Sequence, residues 1–308
     1  MAQPSTLVIG TRGSPLALAQ AHETQDRLAA TLGWDHARLP LKVIKTTGDA
    51  IQDRPLSEAG GKGLFTKELD IALVEGAIDL AVHSAKDLPT RLPAELAIAG
   101  YLPREDARDA LVSHGGCPFL ELPRAAKFGS ASLRRQAQAK SLRPDLELVL
   151  LRGNVGTRLA RVERGEIAAT LLALAGLKRL GLAGHVTAIM DTEALLPAIG
   201  QGAIAITTRT TDASTRAIVE RIADPATQVA LAAERAFLTV LDGSCRTPIA
   251  GHATARDGSV SFRGLVLRPD GSEAVETARE GAIGDAERLG ADAGRELLAR
   301  MPAGFLGS

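Results

Sequence analysis

The hydrophobic and polar positions in the first two-thirds of the chain switch between a strand-like and a helix-like period. Short apolar runs predict strands at residues 7–9, 41–45, 79–83 and 96–101. Ser14 followed by Pro15 is a typical helix start, and helical spacing predicts one buried helix face made of Phe65, Leu69, Ala72 and Leu73. Residues 46–61 have no period, so we expect a long mobile loop there. This alternation predicts a parallel sheet flanked by helices.

A second series of alternating elements follows residues 103–108, a charged crossover that contains a proline. Its predicted elements are a helix at 133–142, a strand at 146–151, a helix that begins after the N-cap residue Asn154, and a buried apolar segment at 170–174. Residues 195–202 predict a return crossover, and we expect residues 203–207 to rejoin the first sheet. Two α/β domains joined in this way enclose a cleft, and ligands of such sheets bind beyond the carboxyl ends of the strands.

The pattern changes again in the last part of the chain. Asp224 and Pro225 start an amphipathic helix, whose predicted inner face comprises Val229, Ala233, Ala236, Phe237 and Val240. Strands at 251–255 and 260–266 then precede a final helix at 285–300. We therefore predict two α/β domains and a smaller α+β C-terminal domain. The predicted boundaries are 1–102 with 203–222 for domain 1, 103–202 for domain 2 and 223–308 for domain 3.

Composition and charge exclude several classes of partner. The 36 acidic residues balance the 36 basic ones and aromatic residues make up 3%, so neither a nucleic acid nor an anionic membrane is an expected partner. Cys117 and Cys245 form neither a disulfide framework nor a metal-ligand spacing, so we predict no metal site and a reducing compartment. The first residues lack a secretory pattern, and the strongest apolar run, 167–177, is too short to span a bilayer. We expect a cytoplasmic monomer.

Basic residues recur just after the predicted strands, in four short segments at 11–15, 130–135, 152–158 and 177–179. A helix N-terminus offers unpaired N–H groups, and arginine adds forked hydrogen bonds that suit a carboxylate. One such segment is usually a set of solvated surface arginines. Four segments that converge on one cleft point to a ligand with many carboxylates.

Two further segments carry reactive side chains. Lys86 and Asp87 are either an exposed pair of neighbouring charges or a carboxylate poised in a cationic cleft to hold or transfer a proton, and the residues alone leave both interpretations open. Cys245 lies in a predicted loop of Gly, Ser, Arg and Pro, where the adjacent Arg246 favours a thiolate. A lone cysteine is more often a small buried side chain, and no histidine stands out as a partner for it.

The chain resembles the porphobilinogen deaminase family along nearly its whole length. The family's motifs occur in order as TRGSPLA at 11–17, TTGD at 46–49, GKGLFTKEL at 61–69, HSAKDLP at 83–89, SLRRQ at 132–136, RGNVGTR at 152–158 and GSCRTP at 243–248. The resemblance implies two α/β domains like those of periplasmic binding proteins, and a third domain that carries a dipyrromethane cofactor on Cys245 through a thioether. It also implies that four porphobilinogen molecules are deaminated and joined head to tail, and that hydroxymethylbilane and ammonia are released.

The resemblance assigns roles residue by residue. It implies that Asp87 is the catalyst and that five residues hold cofactor carboxylates, namely Lys86, Ser132, Arg134, Arg135 and Arg158. It implies that the substrate or the lengthening chain is held by Arg12, Ser14, Arg152 and Arg179, with Lys62 and Phe65 beside the mobile loop. The chain departs from the family pattern at Ser244, where Gly is common, and at Glu58, where some relatives have a basic residue.

The alternative from another functional class is a non-catalytic binding protein for an anionic ligand. It explains the arginines as well, but neither Asp87 nor an anchoring cysteine in a third domain. A covalently held chromophore would discriminate between the two.

Overall fold

The computed structural model describes residues 5–50, 65–241, 248–302 and 304–305. In chain order the strands are β1 (Ile9–Thr11), β2 (Leu41–Val43), β3 (Leu80–Ser84), β4 (Leu96–Tyr101), β5 (Asp109–Ser113), β6 (Lys127–Gly129), β7 (Glu147–Val149), β8 (Ala169–Ala173), β9 (Ala188–Ile189), β10 (Ile204–Arg209), β11 (Ile249–Arg256), β12 (Ser259–Leu267) and β13 (Ala274–Ala282). The helices are α1 (Pro15–Leu32), α2 (Thr47–Ala50), α3 (Lys67–Val74), α4 (Leu133–Leu142), α5 (Val155–Glu163), α6 (Leu174–Arg179), α7 (Ala213–Glu220), α8 (Pro225–Val240) and α9 (Ala286–Arg300).

Within these described ranges the strands form three sheets. The first has the order β2-β1-β3-β10-β4, the second the order β7-β6-β8-β5-β9, and the third the order β11-β12-β13. Helices α8 and α9 pack on the third sheet, where the rings of Phe237 and Phe262 lie 5.0 Å apart. The predicted fold class, two α/β units followed by a smaller α+β unit, is confirmed.

The first two sheets are mixed, so the prediction of a parallel sheet is wrong in part. Strand β1 is parallel to β2 and β3, but β10 is antiparallel to β3 and β4. In the second sheet β5 is likewise antiparallel to β8 and β9. The reason lies in the crossovers. The chain leaves the first sheet after Tyr101 and returns at Ile204, opposite Ser84 at the end of β3, so a strand that starts at this edge must run backwards.

The helix starts agree with the sequence signals. The side chains of Ser14, Asn154 and Asp224 accept hydrogen bonds from the backbone N–H groups of Ala17, Thr157 and Thr227, as N-cap residues do. Residues 96–101 and 133–142 were predicted with the observed bounds as β4 and α4. Residues 203–207 were predicted to rejoin the first sheet, and β10 confirms this.

Several predicted faces and loops differ from the structure. Phe65 precedes α3 and is half-buried, so it is not part of that helix's buried face, unlike Leu69, Ala72 and Leu73. On α8 the predicted positions Val229, Ala236 and Val240 are only half-buried. The buried stripe instead comprises Thr227, Ala230, Leu231, Ala233, Glu234 and Phe237. The predicted loop at 46–61 begins with the short helix α2, and its residues from 51 onward, Glu58 included, lie outside the described ones.

Among the described residues, no helix combines the length and the apolar character needed to cross a membrane.

Candidate active site

The carboxyl ends of β1 and β3 bring Arg12 and Asp87 together. Asp87 ends a short 3-10 turn, Ala85–Asp87, that directly follows β3, and about a third of its side chain is exposed. The Arg12 Nη1 atom lies 3.8 Å from the Asp87 carboxylate, and its guanidinium stacks 4.2 Å from the centre of the Phe65 ring. Ser14, Gln20, His83 and Ser84 line the same small pocket, which has a volume of about 50 Å³.

A buried ion cluster lies at the facing edge of the second sheet. Asp109, the first residue of β5, is completely buried and receives the side chains of Arg134 and Arg135 from the start of α4. Its two carboxylate oxygens lie 2.8 Å from Arg134 Nη1 and 2.7 Å from Arg135 Nη2. Burial alone would raise the pKa of Asp109, but the two guanidiniums outweigh it and hold the pKa well below its usual range. One carboxylate therefore faces two fixed cations.

Lys86 connects the two edges. Its Nζ atom donates to Oε1 of Gln201 at 3.3 Å, and the side-chain Nε2 of Gln201 donates to Asp109 at 2.9 Å. Burial, assisted by the nearby Arg135 and Arg134, lowers the pKa of Lys86 to about 8, although Asp87 and Asp109 oppose this shift. The ammonium thus lies in a region that already holds an excess of positive charge.

Arg158 adds to that excess. It extends from α5, where its Nε donates to the carbonyl of Gly153 at 2.9 Å. Burial, with the like charges of Arg135 and Arg152, lowers the pKa of Arg158 to about 10, while Asp87 counteracts the shift. The buried Nε of Arg134 has no hydrogen-bond acceptor in the part of the chain that the structure describes. A cleft with surplus guanidiniums and an unused buried donor is suited to a polyanion.

The other predicted residues occupy different positions. Ser132 and Ser14 act as N-caps of α4 and α1, with their side-chain oxygens turned to backbone N–H groups. Arg179, at the end of α6, is paired with Glu23 of α1 at 2.9 Å and donates to the carbonyl of Gly202 at 3.1 Å. It therefore joins the two α/β units to each other. Lys62 and Cys245 lie outside the described residues.

The two crossovers between the first and second sheets are tied to the third sheet by Glu234. This fully buried residue of α8 pairs with Arg104 of the outgoing crossover at 2.6 Å. It also accepts from the backbone N–H of Gly200 in the return crossover at 2.7 Å and from that of Ala253 in β11 at 2.8 Å. Glu234 thereby joins both crossovers to the third sheet.

Asp109, Gln201, Arg104 and Glu234 were missed by the sequence reasoning. A charged residue at the first position of a buried strand, or a glutamine between two glycines in a crossover, is a signal for two of them. Glu234 could have been found from its helical spacing to apolar positions, because Leu231, Glu234 and Phe237 share one stripe.

Comparison with known proteins gives a consistent result along the chain. Residues 7–217 match the family model "Porphobilinogen deaminase, dipyromethane cofactor binding domain", and residues 229–299 match "Porphobilinogen deaminase, C-terminal domain". A porphobilinogen deaminase of Nitrobacter winogradskyi is 57% identical over 297 residues, which cover 96% of this chain and 94% of the relative. One from Nitrobacter hamburgensis is 56% identical with the same coverage.

Solved structures show weaker similarity. The periplasmic VFT2 domain of Bordetella pertussis BvgS matches with a TM-score of 0.42 and 15% identity, over 71% of this chain and 86% of that chain. The L-cystine solute receptor of Neisseria gonorrhoeae in its unliganded open conformation matches with a TM-score of 0.39 and 15% identity, over 70% of this chain and 85% of that chain. Similarities at this level carry no argument about chemistry.

Proposed function

The chain belongs to the porphobilinogen deaminase family, and we propose that the family's reaction takes place in the cleft between its first two sheets, with Asp87 as the catalytic carboxylate. The reaction deaminates porphobilinogen and joins four molecules head to tail on a covalent dipyrromethane cofactor, which makes the enzyme a transferase of tetrapyrrole biosynthesis. The products are hydroxymethylbilane and ammonia. The observation that carries the proposal is the position of Asp87, whose carboxylate faces Arg12 and influences the pKa of both Lys86 and Arg158.

The residues around Asp109 fit the acidic cofactor. A dipyrromethane made from two porphobilinogen units carries two acetates and two propionates, and the surplus cations of this cluster are their natural partners. We assign its carboxylates to Lys86, Arg134, Arg135 and Arg158, with Ser132 at the start of α4. The unused Nε donor of Arg134 supports this assignment. When bound, the cofactor supplies the free pyrrole α-carbon to which the first porphobilinogen is joined.

Asp87 acts on the substrate. The aminomethyl group and the pyrrole N–H of porphobilinogen are hydrogen-bond donors, and a carboxylate accepts from both. When the carbon–nitrogen bond breaks and ammonia leaves, positive charge spreads over the pyrrole, and the negative charge of Asp87 stabilises it. As the new carbon–carbon bond forms, the attacking α-carbon loses its proton, and in this proposal Asp87 accepts it.

Substrate carboxylates are assigned to the cationic groups nearer the cleft opening. Arg12 is held between Asp87 and the Phe65 ring, so its direction is fixed before a ligand arrives. Ser14 and the N-terminal N–H groups of α1 lie beside it, and a helix N-terminus favours an anion. We add Arg152, Arg179 and, beside the loop, Lys62 as further ligands of the lengthening chain.

The catalytic role of Asp87 predicts a collapse of turnover in Asp87→Asn. The amide keeps the size but loses the charge and the proton acceptor, and we expect kcat to fall by about 10²- to 10⁴-fold. The measurement is the steady-state rate of ammonia release. Asp26→Asn on the exposed face of α1 is the matched control and should keep full turnover. Near-parental turnover in Asp87→Asn, with cofactor in place, removes Asp87 from the mechanism.

The thioether to Cys245 predicts a covalent mass. Under denaturing conditions the intact chain is expected to weigh more than its sequence by two deaminated porphobilinogen units, and Cys245→Ser is expected to lose this excess. Cys117→Ser is the matched control, because Cys117 is the other thiol of the chain, and it should keep the excess. An adduct that persists in Cys245→Ser identifies another anchoring residue.

The domain boundaries, cytoplasmic location and monomeric state stay predictions. The boundaries at 1–102 with 203–222, 103–202 and 223–308 are supported by the three sheets, because the strands of each sheet fall within one of these ranges.

A further inference from the structure

The return crossover, residues 195–202, packs between the turn Ala85–Asp87 and the outgoing crossover, residues 103–108. Gly200 and Gly202 both have positive φ, at +73° and +90°. A Cβ atom at Gly200 would lie 3.0 Å from the backbone nitrogen of Lys86, and one at Gly202 would overlap the carbonyl oxygen of Glu105. Larger residues are therefore disfavoured at both positions. Gln201 lies between them and is completely buried.

The side chain of Gln201 joins three segments through one amide. Its Oε1 accepts from Lys86 Nζ at 3.3 Å. Its Nε2 donates to Asp109 Oδ1 at 2.9 Å and to the carbonyl of Ala107 at 2.8 Å. A carboxylate and a carbonyl can only accept, and an ammonium can only donate, so the orientation of the amide follows from its partners. The amide of glutamine supplies both a donor and an acceptor without carrying a charge.

This amide is the direct link between Lys86 and the ion cluster of the second sheet. Lys86 lies one residue before Asp87, and Asp109 receives Arg134 and Arg135. A movement of the first sheet relative to the second would strain the hydrogen bond of Gln201 to Lys86 or the one to Asp109. The groups facing the Lys86 ammonium are Asp87 on its own turn, Asp109 on β5, Arg134 and Arg135 on α4, and Gln201.

We propose that Gln201 is a positioning residue for the reaction, whose neutral amide fixes the Lys86 ammonium beside Asp87 and couples it to the Asp109 carboxylate. The inference builds on the proposed function, in which Lys86 holds a cofactor carboxylate. Gln201 itself touches no reacting atom in this scheme. It sets the place and the protonation of a group that does bind.

The test measures the Lys86 amine itself. Acetylation of Lys86 is followed by peptide mass spectrometry from pH 6 to pH 11 in the parent enzyme, Gln201→Glu and Gln201→Met. Glu places a negative charge against Lys86, so half-maximal labelling should move to a pH about one unit higher. Met removes the acceptor, so half-maximal labelling should move lower. The alkaline limb of the kcat/KM profile should move in the same two directions.

A purely structural role gives a different result. Gln138→Met is the matched control, because Gln138 is also buried and also bonds in both directions, but to the backbone of Leu196. It should lower the unfolding midpoint without moving the labelling of Lys86. Equal labelling of Lys86 in all the proteins, or the same direction of shift in both Gln201 variants, overturns the proposal. If Gln201→Met does not fold, Gln201→Glu decides alone. Because labelling needs no turnover, this result is separate from the Asp87 test.

Discussion

The imidazole of His83 is buried at the end of β3, four residues before Asp87. Its Nε2 atom lies 3.0 Å from the hydroxyl of Thr207 on β10, and either group can donate. Burial, with a smaller contribution from the charge of Arg12, lowers the pKa of His83 from 6.5 to about 4. The histidine is therefore neutral at physiological pH and joins two strands of the first sheet.

This low pKa predicts acid sensitivity between pH 6.5 and pH 4. In that window His83 is protonated in the unfolded chain but neutral in the folded chain. The free energy of unfolding therefore falls as the pH is lowered. The full effect is on the order of 3 kcal/mol. We expect His83→Gln, which can still bond to Thr207, to have a flatter dependence of the free energy of unfolding on pH, measured by urea titrations.

The control for His83 is His36→Gln. His36 is exposed and faces Asp26, and an exposed pair of this kind contributes little to stability. Its curve should therefore parallel that of the parent chain. An unchanged slope in His83→Gln shows that other groups cause the acid sensitivity.

At the level of elements, α8 and α9 pack with their backbones close together. A Cβ atom at Gly290 would lie deep within van der Waals contact of the carbonyl of Ala233, and one at Gly294 would lie 2.8 Å from Val240 Cβ. These two glycines lie one helical turn apart on α9 and face α8. Glycine lowers the stability of a helix, but at these two positions no side chain fits between α8 and α9.

The same substitution should therefore have opposite effects in two helices. Gly290→Ala forces α8 and α9 apart and is expected to lower the free energy of unfolding by about 1–3 kcal/mol. Gly156→Ala, at an exposed position of α5 where the nearest neighbour of a new Cβ would be Asn154 Oδ1 at 3.5 Å, is expected to raise it by up to about 1 kcal/mol. Chemical denaturation of both variants measures the change in the free energy of unfolding. A gain in Gly290→Ala contradicts the close packing.

The elements themselves differ in how far the sequence predicts them. The capping residues Ser14, Asn154 and Asp224 located the starts of α1, α5 and α8, because a cap is a local property of the sequence. The burial of Glu234 on α8 was missed because the residue is charged, and its partners Arg104, Gly200 and Ala253 are distant in sequence. Strands β5, β6, β9 and β13 were missed. The residues of β13 alternate but include several charges, since one face of this edge strand is exposed.

For the molecule as a whole, the central interaction is the ion pair between Arg104 and Glu234. The carboxylate is completely buried and accepts from Arg104, Gly200 and Ala253, so it joins both crossovers to β11. Breaking a buried pair leaves one charge without its partner, which costs more than the pair contributes.

This arrangement predicts strong coupling in a double-mutant cycle. Arg104→Met and Glu234→Leu are each expected to lower the free energy of unfolding by about 3–5 kcal/mol, and the double variant by clearly less than their sum. Recovery should be incomplete because the N–H groups of Gly200 and Ala253 lose their acceptor. Urea titrations of the parent, the two single variants and the double variant give the four free energies of unfolding that the cycle needs. The exposed pair Arg288 and Asp292 is the control and should show coupling below about 1 kcal/mol. Additive losses at Arg104 and Glu234 contradict the role of this pair.

The candidate site was predictable to a similar, partial extent. The motifs located Arg12, Lys86, Asp87, Arg134, Arg135 and Arg158, because each follows a strand or opens a helix at the edge of a sheet. They did not reveal Asp109 or Gln201, whose role depends on two crossovers that meet only in the folded chain. The prediction that Arg179 faces substrate rests on the family motif, whereas the structure pairs it with Glu23.

The place of β10 between β3 and β4 has a consequence for the order in which the chain can fold during synthesis. Strands β3 and β4 do not pair with each other, and each pairs with β10, which ends at residue 209. When the first hundred residues have left the ribosome, β3 and β4 are both present, but β10, the strand that lies between them in the sheet, has not yet been made. The second sheet is complete in sequence by Ile189, before the first can close. Two hydrophobic strand edges must stay unpaired for about a hundred residues of translation, which makes this interval the point of greatest exposure to aggregation and to chaperones.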